Sequence, residues 1–368
     1  MRLPEFPWDR LASYAETARA HPDGVVDLSV GTPVDPTPSV AIAALAAVGD
    51  APGYPAVLGT TDLRAAVAAW LQRRFGVVVD PVTEVLPTIG SKELIALLPL
   101  LLGCTGAVAF PDLAYPTYDI GARLANCRPV AVPTVDGLVD VTALDRVAAD
   151  ASLLWVNYPA NPHGRVAPAE HLADVVAWGR DSGVVVANDE CYVELCWSAP
   201  AVTVLAGGTD GVLAVHSMSK RSNMAGHRAG TVTGDAALIR RIYDGRRHAG
   251  LIVPTPVQAA MAAALGDDAH VAEQRERYAE RRALLLPALD KAGWRVDHSE
   301  GGLYLWATHP AYDCWSAVAT LAEVGVLVAP GEFYGAPGAR HVRIALTAPT
   351  ERVRAAADRI AALPIALT

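Results

Sequence analysis

The chain is short of charge. Asp, Glu, Lys and Arg together make up 19% of its 368 residues, against 52% hydrophobic residues. Little charge with much apolar content points to a compact enzyme with a large buried interior, and a subunit interface is one further place to bury apolar surface. What charge there is sums to -9. A nucleic-acid binder needs a basic footprint to displace counterions, so that class of partner is excluded; an anionic ligand held by a few arginines in a cleft is not. Cysteine is sparse and scattered, at Cys104, Cys127, Cys191, Cys196 and Cys314, with no zinc-site or redox spacing. Reduced thiols packed in or near the interior are expected. Apolar stretches long enough to span a bilayer are lacking, which argues against a membrane protein. Pro4, Glu5, Pro7 and Asp9 stand where a secretory leader needs a basic start and an apolar run. A cytoplasmic location is the expectation. Internal repeats and low-complexity tracts are lacking too.

Turning to what is present, the middle of the chain alternates apolar runs with helical stretches. GAVAFP at 106–111, RPVAVP at 128–133, SLLWVNYP at 152–159, GVVVANDECY at 183–192, GVLAVHSMSK at 211–220 and HRAGTVTGD at 227–235 read as strands. Continuous apolar strands between helices predict an α/β fold with a mostly parallel sheet covered on both faces, and polar residues cluster at the strand ends, where such sheets bind ligands. TDLRAAVAAWLQRRF at 61–75 reads as an amphipathic helix opened by Thr61 or Asp62, and PTIGSKELIALLPLLL from 87 as a turn opening a very apolar helix. Residues 1–40, rich in Pro and Asp, read as an arm or strap belonging to a small domain; 41–255 as a large domain; 256–285 as a connecting helix; 286–368 as a small α+β domain.

Several residues in these strand ends carry chemistry. Lys220, in HSMSKRSNMAGHR, is either a surface lysine past a strand or an amine nucleophile. Asp189 closes an apolar strand, where a carboxylate is costly unless paired, and a ring cation would pair it. Its neighbour Glu190 points the opposite way along a strand. Ser217, Ser219 and Arg228 flank Lys220, and Gly90, Ser91 and Lys92 open a helix; together they form a two-sided anion cup suited to a phosphate. Tyr115 and Tyr118 lie in a loop held by prolines, where an aromatic either stacks on a ring or packs the loop. Asn161, in NYPANPHG, either makes a turn or donates to an oxygen that Tyr192 also reaches. Arg343, in HVRIALT, wants a planar anion, a substrate carboxylate or a structural partner. Tyr54, in PGYPAVLG, shows no function by chemistry alone.

The ordered set NYPANPHG, DECY, SMSK and the later Arg228 and Arg343 resembles the aspartate-aminotransferase-like group of pyridoxal-phosphate enzymes, fold type I. The resemblance runs through nearly the whole chain. It implies a seven-stranded, mostly parallel sheet with a smaller α+β domain, and pyridoxal 5'-phosphate held by Lys220 as a Schiff base. By the same resemblance Asp189 meets the pyridine nitrogen, Asn161 and Tyr192 the 3' oxygen, Tyr115 stacks on the ring, and Arg228 takes the phosphate. Arg343 then grips the substrate carboxylate, Gly31 lies beside the substrate, and Tyr54 with Gly59 reaches the phosphate of a neighbouring subunit in a homodimer. The one departure is His163, where Thr is common, in NPHG.

More closely, LPEFPWDRL, HPDGVVDLSVGTPVDPTP and PGYPAVLGTTDLR resemble actinobacterial succinyldiaminopimelate transaminases of lysine biosynthesis. That likeness implies transfer from glutamate to N-succinyl-2-amino-6-ketopimelate, in an open cleft lined partly by 31–36, with Arg221 a candidate for distal carboxylates. The rivals are an aminotransferase of aspartate, aromatic or alanine type, a pyridoxal-phosphate β-lyase acting on a sulfur amino acid, and a cofactor-binding protein without turnover.

Overall fold

A computed structural model describes residues 3–197 and 202–364. Its centre is a seven-stranded sheet in the spatial order Val85–Ile89, Ala229–Gly234, Val212–Ser217, Val185–Asp189, Ala151–Val156, Ala107–Pro111, Arg128–Val132. Only Ala229–Gly234 runs against its neighbours; the other pairings are parallel. The apolar runs expected as strands are strands, and the sheet is the mostly parallel α/β layer that the alternation implies.

Period-two alternation sends neighbouring side chains to opposite faces. Val186, Val212, Ala214, Leu154 and Val156 pack with helices Thr61–Phe75, Ala169–Ser182 and Thr255–Leu265 on one face. Ala187, Leu213, Val215, Leu153 and Trp155 pack with Gly90–Leu101, Thr117–Leu124 and Ala236–Ala249 on the other. This parity decides the site: Asp189 and Ser217 continue the second set, whereas Glu190 and His216 fall on the first.

A separate core belongs to a four-stranded antiparallel sheet, ordered Arg295–Asp297, Tyr304–Thr308, His341–Ala345, Ala329–Pro330, with helices Cys314–Glu323 and Thr350–Ala361. The strand Val26–Asp27 pairs in parallel with Val326–Leu327, and Leu28 accepts from the Ala345 amide, so the chain that follows is carried beside Arg343 toward the large sheet.

Several local expectations are revised. Helix Thr61–Phe75 is capped one residue earlier, by Thr60, whose hydroxyl accepts from the Leu63 amide at 3.2 Å; a cap must precede the first helical residue. The long helix expected over 256–285 is two helices, Thr255–Leu265 and Ala269–Lys291, separated at Gly266–Asp268. The arm contains a helix, Ala12–Arg19, that its Pro-rich surroundings hid. Ahead of helix Gly90–Leu101 comes a strand, so its turn is the strand's exit. The five cysteines are free, three of them buried.

Helix Gly90–Leu101 is pinned by a buried ion pair. Glu93 accepts from the Ile89 amide at 3.2 Å and from Arg246 Nη1 at 2.7 and 2.9 Å, and Arg246 is wholly buried. Breaking a buried pair from one side strands the other charge. Arg246→Met should therefore lower stability by about 3 kcal/mol, measured as a fall in the urea midpoint, while Leu100→Ala on the exposed side of the same helix leaves the midpoint nearly unchanged.

Candidate active site

A cleft of about 1420 Å³ opens at the carboxyl ends of the parallel strands. That is larger than a typical pocket for one small ligand, about 300–1,000 Å³. Lys220, Asp189, Tyr192, Asn161, Ser217, Ser219, Arg228, Ser91, Lys92, Tyr115, Gly31 and Arg343 all line it, although they come from seven separate stretches of sequence.

Strand Val212–Ser217 ends in a one-turn helix, Met218–Arg221, started by the Ser217 hydroxyl accepting from the Ser219 amide at 3.1 Å. This turn presents Lys220, whose ammonium donates to the carbonyl of Gly31. Asp189 accepts from the Tyr118 hydroxyl at 3.1 Å and the Cys191 amide at 3.2 Å. Burial raises its pKa, and no guanidinium or ammonium pairs with it among the described residues. Glu190, as the alternation requires, points away, bonding His216 at 2.9 Å, Asn188 at 3.0 Å and the Val204 amide at 2.7 Å.

Two cations share the other end of the cleft. Burial and, after it, Arg228 depress the pKa of Lys92. Arg228 donates to the Ala225 carbonyl at 2.8 Å, and neither cation meets a carboxylate among the described residues. Gly90, with φ of +71°, is the first residue of its helix, and an added Cβ would strike the Arg228 guanidinium. Gly90 thus makes room for Arg228, while Ser91, Lys92, Ser217 and Ser219 face the space.

Arg343 is 3% exposed and donates to Asn161 Oδ1 at 3.1 Å and the Ser29 carbonyl at 2.7 Å. Its Nε has no partner and no carboxylate reaches it among the described residues. Its guanidinium carbon lies 3.9 Å from the ring centroid of Tyr304 and 4.9 Å from that of Tyr334. Tyr192 lies close by, its hydroxyl 3.1 Å from that of Tyr304, and burial holds its pKa well above the ordinary value.

Not every expected residue is in the cleft. Tyr54, expected at the phosphate of a neighbouring subunit, is fully exposed and does not line the cleft of its own chain, and Gly59 packs against Pro87. Arg221 is buried away from it, bound to Glu194 and the Ala264 carbonyl, so it cannot swing to a distal carboxylate. Of 31–36 only Gly31 and Thr32 line the cleft, because Asp35 is tied to Arg281 at 2.6 Å and Gln274 at 2.7 Å. Sequence reasoning missed Tyr118 as the partner of Asp189, Cys191 beside it, the tyrosines around Arg343, and Phe6 and Trp8 at the rim. Only Tyr118 had a signal, its place in the loop with Tyr115.

With this geometry in view, the family model "Aminotransferase class I and II" matches residues 23–360. The chain belongs to the class I and II aminotransferases. It is 55% identical to the 4-dedimethylamino-4-oxo-anhydrotetracycline transaminase OxyQ of Streptomyces rimosus, over 97% of this chain and 99% of that one. A probable aminotransferase of Mycobacterium tuberculosis is 54% identical over 97% of this chain and 85% of its own. Among solved structures, a probable N-succinyldiaminopimelate aminotransferase of Thermus thermophilus superposes with a TM-score of 0.88 at 31% identity, covering 97% of this chain and 99% of that one.

The family implies pyridoxal phosphate, and the charges of the cleft fit it: an unpaired buried carboxylate at one end suits a protonated ring nitrogen, and two unpaired cations with hydroxyls at the other suit a phosphate. In cofactor-free protein the buried Asp189 disfavours ionisation. The folded state then holds a proton that the unfolded state has lost, and stability falls as pH rises from the ordinary carboxylate range through the raised pKa. Asp189→Asn should raise the unfolding midpoint of the cofactor-free protein at pH 7, with the gain shrinking toward pH 4. Saturating pyridoxal phosphate should reverse the order, because only Asp189 offers the cofactor a charge. Melting curves of both proteins with and without cofactor check this.

Proposed function

We propose that this aminotransferase passes amino groups between amino acids and a bulky, apolar-bodied keto substrate, using pyridoxal phosphate held through Lys220. The observation that carries the reading is Arg343, a buried guanidinium that meets no carboxylate among the described residues and lines the same cleft as Lys220. Burying an unpaired charge is costly, and a substrate carboxylate supplies the missing partner in the fork geometry that arginine favours.

Pyridoxal phosphate, when bound, supplies a conjugated ring that accepts the electron pair left by loss of the substrate's α-proton. The protein does the rest. Asp189 keeps the ring nitrogen protonated; Lys92, Arg228, Ser91, Ser217 and Ser219 hold the phosphate, with Gly90 clearing space for Arg228. Asn161 and Tyr192 donate to the ring oxygen, and Tyr115 covers the ring. Arg343 and Gly31 would orient the substrate so that Lys220 Nζ removes the proton from the α carbon of the amino donor and, in the second half-reaction, delivers a proton to the α carbon of the acceptor. The open keto-acid product leaves before the second substrate enters, which gives ping-pong kinetics.

The far wall supports an apolar-bodied substrate. Phe6, Trp8, Ile95, Phe110 and Ile120 line it, and the one guanidinium there, Arg123, is tied to Asp119 at 2.7 and 2.9 Å. A succinylated diaminopimelate chain brings distal carboxylates; the guanidinium on that wall already has a carboxylate partner, and Lys92, 5.8 Å from the Phe6 ring, is taken here by the phosphate. The relatives whose names specify a substrate, an anhydrotetracycline transaminase and a probable N-succinyldiaminopimelate aminotransferase, differ in it, so substrate does not follow from likeness alone. The fully exposed Tyr54 fits a homodimer in which it reaches the phosphate of the other copy.

Steady-state assays with a panel of keto acids test the substrate reading: aromatic and large apolar acceptors should exceed the succinylated and short dicarboxylic ones in kcat/KM. The opposite order overturns it, and release of pyruvate and ammonia without amino transfer would point to a β-lyase. Arg343→Gln should raise KM for the amino donor about 100-fold. For the dimer, Tyr54→Ala and Lys220→Ala proteins, each impaired alone, should recover activity when refolded together, because one site of each hybrid is intact; no recovery contradicts shared sites.

A further inference from the structure

Tyr304 is buried on strand Tyr304–Thr308, and its two ends meet different parts of the cleft. The ring carries the Arg343 guanidinium, whose carbon lies 3.9 Å from the ring centroid and 4.9 Å from that of Tyr334. The guanidinium is thus packed against two aromatic rings, and its Nε is buried without a hydrogen-bond partner. The hydroxyl lies 3.1 Å from that of Tyr192. It also fills the space over Gly31, where an added Cβ would overlap it, and the Gly31 carbonyl accepts from Lys220. One side chain therefore touches the arginine, the tyrosine and the glycine that bonds the lysine.

We propose that Tyr304 is a positioning residue with two separable tasks: its ring holds Arg343 for the substrate carboxylate, and its hydroxyl orients Tyr192 and packs against Gly31 beside Lys220. The proposal rests on the aminotransferase reading above. The division follows from the chemistry of the two ends. A cation over an aromatic face is held by the ring alone, so the phenyl of phenylalanine serves equally. A phenol has one proton and two lone pairs. Either hydroxyl can donate across the 3.1 Å separation, and in both senses the Tyr304 oxygen, seated over Gly31, fixes where the Tyr192 hydroxyl stands.

Two variants separate the tasks. Tyr304→Phe should leave KM for the amino donor within about twofold of wild type while lowering kcat about fivefold, the worth of one neutral hydrogen bond. Tyr304→Leu removes the ring and should raise KM about tenfold as well. A second readout needs no cofactor: calorimetric binding of 3-phenylpropanoate, a carboxylate that cannot react, to the cofactor-free proteins. Wild type and Tyr304→Phe should bind alike, and Tyr304→Leu about tenfold more weakly. Circular dichroism melts establish that each variant is folded, and Tyr304→Phe keeps the comparison informative if Tyr304→Leu is not. Equal affinity of all three, equal weakening by both variants, or no binding by wild type overturns the proposal. If wild type transfers no amino group from any donor, the aminotransferase reading fails instead, and the binding comparison still reports on the ring.

Discussion

A charge removed from water needs a counter-charge, and the cleft holds a buried carboxyl and a buried guanidinium that the chain itself does not pair, with two exposed cations beside them. Asp189 sits at one point without a cation, Lys92 and Arg228 at a second without an anion, and Arg343 at a third. Asp189 cannot satisfy Arg343 internally because each is held by its own strand and neighbours, Tyr118 and the Cys191 amide for the first, Asn161 and Ser29 for the second. The fold keeps them apart, so the missing partners must come from outside the chain. A zwitterionic cofactor and a carboxylate substrate are what such a pattern accepts.

The scaffold serves that separation. Strand parity puts Asp189 and Ser217 on one face, and hands Glu190 to His216, Asn188 and Thr203 on the other, where a second carboxylate is fully bonded and out of the way. Arg246 and Glu93 fix the helix that carries Ser91 and Lys92. Arg281, Gln274 and Asn223 hold the segment after Gly31: Asp35 bonds Arg281 and Gln274, while Asn223, just past Lys220, bonds Gln274 and the Pro36 carbonyl. The substrate-side strap and the lysine turn are thus braced against one helix, Ala269–Lys291.

Much of this was legible in the sequence because parallel strands buried on both faces are written as unbroken apolar runs, and each functional residue lies where such a run stops. Asp189 rather than Glu190 follows from period two alone. A further signal is compositional: the chain has three lysines in all, Lys92, Lys220 and Lys291, so a lysine at a strand end is a rarer event than its neighbourhood suggests. Tyr304 was not legible, since in GGLYLW it looks like one more apolar strand residue, and its role arises from a contact with Arg343 far along the chain. Arg221 misled for the same reason. A basic residue beside Lys220 reads as available until Glu194 is found against it. The helix Ala12–Arg19 was masked by the prolines before it, which set its start and do not interrupt it.

The small number of lysines makes the central claim directly measurable. Incubating the protein with pyridoxal phosphate, reducing with borohydride and sequencing the labelled peptides by mass spectrometry asks which amine bonds the cofactor. The prediction is stoichiometric label on Lys220, with Lys92 and Lys291 unlabelled. Label centred on Lys92, or none on Lys220 under conditions where the enzyme is active, would contradict the site described.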